Sequence, residues 1–554
     1  MNSPRGLEAQ PSRRTPRRAR AALPWVFLLG VACALNAPGI TWGLPSQYGW
    51  APDELLPETV LAGMQQGFTG GWTHKYPPFH FTLLSLLYRP ILRAYGLSAG
   101  DATPGDVYFT LFLVSRALSL AMAAGSVLLV YACGRRLLDR RGALFAALLT
   151  ATLLPFVFYA KLANLDVPYL FWSLLALLFA LRALDRDGAL DLSLFGVAGM
   201  LAIATKDQAY GLFALSAPLV LVARGRGAVS RAAFARDLAL AGLASTLTFA
   251  LAFRLFGNWS GFVEHVRLIT GPASDDFQIF PATLAGQLAL LRHSAFQLAF
   301  VLGPPAAAVC VLGVGSVGAR LLGLLAPPRT LEADRPDDRR LMGLAAPALS
   351  YYATFIAVVL YSYDRFLLPV AVLLTFFGGR VLSEATSWPG WQGRLGRVVA
   401  AVVIGYGAAR GVSLDALMLN DARYAAEGFL RARVAPHEDV AGIGVLSRLP
   451  RLDGTRWSVL PPSVPALEQA RPEWVVVNAD VAESRRAGSA KARFYERLRG
   501  GALGYRLAYA SSWRSRFLFF DAELLARGAY GPVLSNLEVI NSEIEVYRRA
   551  APAP

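Results

Sequence analysis

"AKLANLDVPYLFWSLLALLFALRALDRDG" (Ala160–Gly188) contains the fold class in one stretch. A polar loop with Lys161, Asn164 and Asp166 gives way to a nearly unbroken apolar run, which stops at a basic cluster. Ala163 to Leu184 is the length that crosses a hydrocarbon core of about 30 Å, for which about 20 residues are needed. The same alternation recurs on both sides. Of 554 residues 55% are apolar and only 17% charged, and the mean hydropathy is +0.42. Such a chain is too apolar for a soluble multidomain protein and reads as a polytopic membrane protein.

The periodic apolar runs predict about eleven spans. They lie near Leu23–Leu44, Tyr108–Gly134, Ala143–Ala160, Ala163–Leu184, Ala189–Thr205, Ala209–Ala223, Leu238–Phe256, Phe296–Leu325, Leu341–Leu360, Phe366–Glu384 and Val398–Leu417. The first follows a basic segment as a secretory signal does, but it is long enough to remain as an anchor. The net charge of +16 sits between spans rather than in a basic soluble domain, which argues against nucleic acid as a partner. "RRTPRRAR", "GRRLLDRRG", "RALDRDG", "RGRGAVSRAAFARD" and "ADRPDDRR" are placed as cytoplasmic loops should be. Cys33, Cys133 and Cys310 all fall within spans and read as small apolar residues, with no disulfide or metal framework.

The same charge bookkeeping fixes two ambiguous segments. "YPPFHFTLLSLLYRPILRAYG" is laid flat as an amphipathic or re-entrant helix opened by Pro77 and Pro78, because a crossing there would invert every later basic loop. Residues 189–223 become a tight hairpin with Lys206 at its tip for the same reason. Beyond Leu417, short β-branched and aromatic runs such as "EWVVVNAD" and "IEVYRR" predict a small α/β domain. The expected organisation is a basic cytoplasmic tail at 1–22, a transmembrane domain at 23–417 and an extracytoplasmic α/β domain at 418–554. The segment from Gly257 to His293, with its acidic pair, reads as a long outer loop, either of the lid or binding kind or a partly disordered connector.

With that topology the outer loops hold Asp53, Glu54, Lys75, Lys161, Asn164, Asp166, Lys206, Asp364 and Arg365. Ionisable groups at membrane depth are costly and usually face a cavity or a partner. A carboxylate near an acceptor hydroxyl serves as general base, while lysine and arginine stabilise charge on a departing phosphate. That mixture suits glycosyl transfer from a lipid phosphate. The plain alternatives are helix capping for the Asp53–Glu54 pair and for Asp166, and snorkelling to headgroups for the cations. His74, His80, His265 and His293 lack metal-ligand spacing and read as structural or interfacial.

The order of these features resembles the GT-C membrane glycosyltransferases, above all the protein O-mannosyltransferase and aminoarabinose-transferase group. The resemblance rests on the acidic pair after the first span, the lysine before "YPPF", the Asn-x-Asp-x-Pro of the next outer loop, the hairpin lysine and "RFLLP". The end "SNLEVINSEIEVYRR" is similar to the tails of bacterial members. Two departures are that Tyr76 stands between the lysine and Pro-Pro, and that tyrosines precede Arg365. The resemblance implies an inner-membrane enzyme that takes a sugar from a polyprenyl-phosphate donor and gives it, with inversion, to a glycan, lipid or protein acceptor. It implies Asp53 as base, Glu54 beside it, Asp166 as the second acid, and Lys206 and Arg365 on the carrier phosphate, assisted by Lys75 or Lys161 and with Asn164 nearby. A divalent cation is left open. The rival class is a transporter or flippase, disfavoured by the absence of repeated halves and by charges at loop ends rather than at the midplane.

Overall fold

The computed structural model describes residues 15–46, 48–228, 230–271, 277–325, 338–452, 454–478 and 489–550. The acidic pair of the 257–293 segment, Asp275 and Asp276, lies outside them, as does most of the basic tail. The chain opens with α1 (Thr15–Asn36), α2 (Pro57–Gln65), α3 (Pro78–Ala94), α4 (Gly105–Leu137), α5 (Arg140–Ala151), α6 (Leu154–Tyr159), α7 (Asp166–Asp185) and α8 (Ala189–Thr205). Among the described residues seven helices are long and apolar enough to cross a membrane. They are α4, α7, Arg231–Ala252, Pro304–Leu321, Asp338–Val359, Asp364–Ser387 and the helix that begins at Gly390, while α8 and the Ala22–Asn36 part of α1 are shorter apolar helices. This is a multi-pass membrane protein whose C-terminal region adds a small sheet.

Several expected spans are corrected by their prolines and glycines. Ala143–Ala160 is not one helix: α5 stops at Thr152 and α6 restarts around Pro155, which has no N–H for the preceding turn. Phe296–Leu325 divides at Gly303, whose φ of +78° ends the Leu284–Leu302 helix before Pro304 opens the next. The segment expected as an outer loop up to His293 therefore contains the Trp259–Ile269 helix and most of Leu284–Leu302. The hairpin at 189–223 has its break at Lys206, which is extended (φ −153°, ψ 121°), but the returning arm is fragmented into Asp207–Ala209, Tyr210–Phe213 and Ser216–Arg226. The helix expected to lie flat opens at Pro78 as its prolines require and buries Phe81, Leu84, Tyr88 and Leu92.

Two charged levels bracket the spans. At one, Arg136 pairs with Asp185 at 2.6 Å, and Arg320 pairs with Asp338 at 2.9 Å and Glu384 at 3.5 Å. At the other stand Asp166, Lys206 and Arg365. The 20 residues of α7 join the levels; at 1.5 Å per residue that is about 30 Å, the thickness of a hydrocarbon core.

The C-terminal sheet runs β2-β1-β3-β5-β4, with β1 Asp439–Ile443, β2 Arg456–Leu460, β3 Trp474–Asn478, β4 Tyr505–Ser511 and β5 Ile544–Arg549. β2, β1 and β3 are parallel, and β5 lies antiparallel to both β3 and β4. All five residues of β3 are buried, as an unbroken apolar run covered on both faces should be. Ala426 and Leu430 of the Ala422–Arg433 helix cover one face, and Leu467, Phe494 and Leu498 cover the other.

Candidate active site

The loop between α1 and α2 is bound to the loop before α7 by a short zip. Leu55 N donates to Ala163 O at 2.7 Å, and Ala163 N donates to Glu54 Oε1 at 2.9 Å. Glu54 also takes a two-pronged contact from the buried Arg116 of α4, Nε at 2.7 Å and Nη2 at 2.9 Å. Arg116 Nη1 donates further to Ile40 O and Trp42 O at 2.7 and 2.8 Å. Glu54 is thus committed to the scaffold. Its neighbour Asp53 adopts φ +59°, a left-handed conformation that aspartate tolerates, and its carboxylate projects into a different set of partners.

Asp53 Oδ1 meets Lys75 Nζ at 2.6 Å and Oδ2 meets Arg365 Nη1 at 2.8 Å. Behind them Asp166 Oδ1 holds Lys206 Nζ at 2.6 Å, and Asp166 Oδ2, a buried oxygen without a hydrogen-bond partner, lies 4.0 Å from Arg365 Nη1. Asn164 links the layers: its Oδ1 accepts from Asp166 N at 2.7 Å, and its Nδ2 donates to Asp53 O at 3.4 Å. Lys206 stands 5.8 Å from the ring centres of Tyr76 and Tyr169, and Arg365 stands 5.6 Å from those of Tyr363 and Phe366. Side-chain exposure falls from 49% at Lys75 through 26% at Asp53 and 12% at Arg365 to zero at Asp166, so the cluster opens to solvent on its Lys75 side.

Of the residues singled out in the sequence, Asp53, Lys75, Asn164, Asp166, Lys206 and Arg365 are brought together. Lys161 is not: it is buried elsewhere, against Asp415 and Leu35 O. Glu54 belongs to the Arg116 pair rather than to the cluster. Sequence reasoning passed over Arg116, although a lone arginine within an apolar run is a costly placement that signals a partner. It also set aside His265, whose Nδ1 contacts His74 O at 2.8 Å and whose Nε2 contacts Asp207 Oδ1 at 3.1 Å. That one ring joins the residues next to Lys75 and Lys206.

Burial pushes the Asp53 carboxyl upward, but Arg365 and Lys75 outweigh it and hold the group well below the usual carboxylate range. Burial depresses the His74 ring to about 4, with Lys75 adding to the effect. At His265 burial acts downward too, yet the hydrogen bond and charge of Asp207 prevail and raise its pKa above 6.5. The cluster has three cations against two carboxylates, so it attracts an anion. The donor set does not fit a divalent cation: Asp53 is engaged at both oxygens and Asp166 at Oδ1, and among the described residues no group of three or more His, Cys, Asp or Glu side chains is placed to hold a metal ion. A cleft of only about 10 Å³, lined by Trp72, His74, Tyr76 and His265 among others, opens beside Tyr76. The charges of the cluster are paired with one another, Asp53 with Lys75 and Arg365 and Asp166 with Lys206.

The family model described as dolichyl-phosphate-mannose-protein mannosyltransferase matches residues 89–253. That stretch contains Asn164, Asp166 and Lys206. Undecaprenyl phosphate-alpha-4-amino-4-deoxy-L-arabinose arabinosyl transferase of Pseudomonas aeruginosa strain PAO1 is 32% identical over 248 residues, 43% of each chain. Its counterpart in Pseudomonas paraeruginosa is 34% identical over 179 residues, 31% of each chain. The chain resembles the GT-C membrane glycosyltransferases. The matches span less than half the length of these relatives. Among solved structures, ArnT from Cupriavidus metallidurans bound to undecaprenyl phosphate aligns with TM-score 0.44 and 14% identity, over 85% of this chain and 96% of that one. The oligosaccharyltransferase of Archaeoglobus fulgidus aligns with TM-score 0.47 and 12% identity, over 95% and 88%. The names found are those of sugar transferases, so the solute-carrier reading is not favoured.

Proposed function

We propose that this chain is a membrane glycosyltransferase that moves a sugar from a polyprenyl-phosphate carrier to an envelope acceptor at the outer face of the cytoplasmic membrane. The observation that carries the reading is Asp53 gripped between Lys75 and Arg365, with the Asp166–Lys206 pair directly behind. The arabinosyl transferase relatives support a lipid-phosphate donor. The arginine-rich loops at the opposite level support an outer site, with the C-terminal sheet on that same outer side.

In the reaction the acceptor hydroxyl attacks the anomeric carbon from the side away from the phosphate and gives its proton to Asp53. The bond from anomeric carbon to phosphate oxygen breaks, and the carrier phosphate leaves with the electron pair into Lys206 and Arg365. Such preorganised cations stabilise the departing charge more than water does. A carboxylate held by two cations is a feeble base, because proton transfer needs a pKa nearer the working pH. The incoming phosphate competes for Lys75 and Arg365, loosens their hold on Asp53 and restores its basicity. Lys75, the most exposed member, is the arm that moves. The base is thereby armed only when the donor is in place.

The test is sugar transfer from labelled polyprenyl-phosphate sugars by the full-length protein in proteoliposomes. Asp53→Asn is expected to lose about 10²–10⁴-fold in rate, the usual contribution of a positioned base, while retaining its fold. Equal transfer by variant and wild type ends the assignment.

A further inference from the structure

Neither the cluster nor the sugar chemistry uses the loop after β4, "SSWRSRFLFF" (Ser511–Phe520). Its position relative to the membrane follows from two helices. Arg410 of the Gly390–Leu419 helix donates Nη2 to Phe300 O at 2.7 Å, which sets Arg410 level with the Gly303 turn. From that turn the Pro304–Leu321 helix runs 18 residues, about 27 Å, to the opposite charged level at Arg320. Arg410 therefore marks the site-side boundary of the hydrocarbon core, and residues 411–419 rise about 13 Å beyond it.

The loop lies across this boundary. Phe519 N donates to Ser413 Oγ at 2.9 Å, just above the Arg410 level, and the Phe519 ring packs edge-on against Tyr406, 6.0 Å away and just below it. Phe520 is buried against Phe300 and Tyr530, which anchors the loop to the same turn. Phe517 is nonetheless 88% exposed and Phe519 53%. Val398, Val402 and Val412 are exposed on the adjoining helix, so the aromatic pair continues a lipid-facing stripe. Arg514 and Arg516 flank Phe517 and are exposed as well, Arg514 also meeting Glu523 Oε1 at 2.8 Å. Apolar tips bracketed by cations, at the height where acyl chains meet headgroups, are what an interfacial anchor requires.

We propose that Arg514–Phe519 is a lipid anchor, in which Phe517 and Phe519 enter the acyl boundary of the site-side leaflet and Arg514 and Arg516 face its phosphates. The anchor holds the C-terminal sheet at a fixed height over the site, whatever reaction occurs there. The surface fits a bilayer rather than a soluble protein because it lies in line with the lipid-facing valines and crosses the membrane boundary.

The test uses the full-length chain with Cys33, Cys133 and Cys310 replaced by serine or alanine, spin-labelled at Phe517→Cys or at the exposed Arg506→Cys on the far part of β4. Both are placed in vesicles of phosphatidylethanolamine and phosphatidylglycerol, and relaxation by oxygen is compared with relaxation by a water-soluble nickel chelate. The oxygen-to-nickel ratio is expected to be several-fold higher at 517 than at 506. Equal ratios place the loop in water and overturn the proposal. Dipolar broadening between labels at 517 also overturns it, by assigning the surface to a second copy of the chain. Because the readout needs no turnover, it stands or falls independently of the proposed transfer.

Discussion

Asp53 concentrates the electrostatics of the site in one side chain. Its lowered pKa means that the folded state gains stability from the ionised carboxylate above the ordinary value of 3.8 and loses it only as pH falls through the depressed folded value. Removing one cation relaxes that depression. In Lys75→Met the acid limb of the rate–pH profile is expected to move to higher pH, and an unmoved limb means that Lys75 does not set the base. His265 gives the opposite sign. A carbonyl faces its Nδ1 and the Asp207 carboxylate faces its Nε2, an arrangement that favours the protonated ring. Its folded pKa is raised, so its stabilisation is complete below 6.5 and is lost as pH rises through the folded value. Thermal melting of the wild type is therefore expected to fall across that window, whereas His265→Gln flattens the fall; parallel melting curves exclude this linkage.

At the scale of elements, the decisive contacts join loops that separate helices hold apart. Glu54 and Arg116 tie the α1–α2 loop to α4 with both side chains buried. Glu54→Gln leaves the guanidinium buried beside a neutral amide, and breaking such a pair costs about 3–5 kcal/mol. The expected result is a marked fall in melting temperature, most of it recovered by a second change, Arg116→Met, that removes the orphaned charge. Loss of activity at unchanged stability would falsify the scaffold role and return Glu54 to the chemistry. The helix breaks were partly legible. Pro78 and Lys206 fall where charge parity required a surface helix and a hairpin. The Gly303-Pro304 division was hidden within an apolar run, because hydropathy averages over the two residues that end one helix and begin another.

At the scale of the whole molecule, the C-terminal region reaches two of the segments that carry the cluster, those of Asp53 and Arg365. Asp421 accepts from Trp42 Nε1 at 3.0 Å, and the Arg423 guanidinium stacks 3.9 Å from the Trp50 ring, both in the segment leading to Asp53. On the other side Asp364 N donates to Leu534 O at 3.1 Å, and Ser535 Oγ donates to Asp364 Oδ2 at 2.5 Å, next to Arg365. The tail similarity noted in the sequence thus has a position: the tail clasps the arginine's loop. Ser535→Ala frees that loop without touching substrate. A fall of about tenfold in kcat is expected, since small misplacements of a positioned group are costly, with KM and melting temperature little changed; an unchanged kcat rejects the clasp.

The sequence by itself determined that the chain crosses a membrane, where its spans roughly lie, and which few ionisable residues were too costly to be incidental. Those conclusions need only composition and local period, because lipid penalises every unpaired polar group in the same way wherever it occurs along the chain. Which of the charges meet was decided by the tertiary structure alone. Asp53 finds Lys75 and Arg365, whereas Lys161, only five residues from Asp166, turns to Asp415. Adjacent residues send their side chains to different partners, and the pairings close over loops far apart in the chain, so no local pattern encodes them.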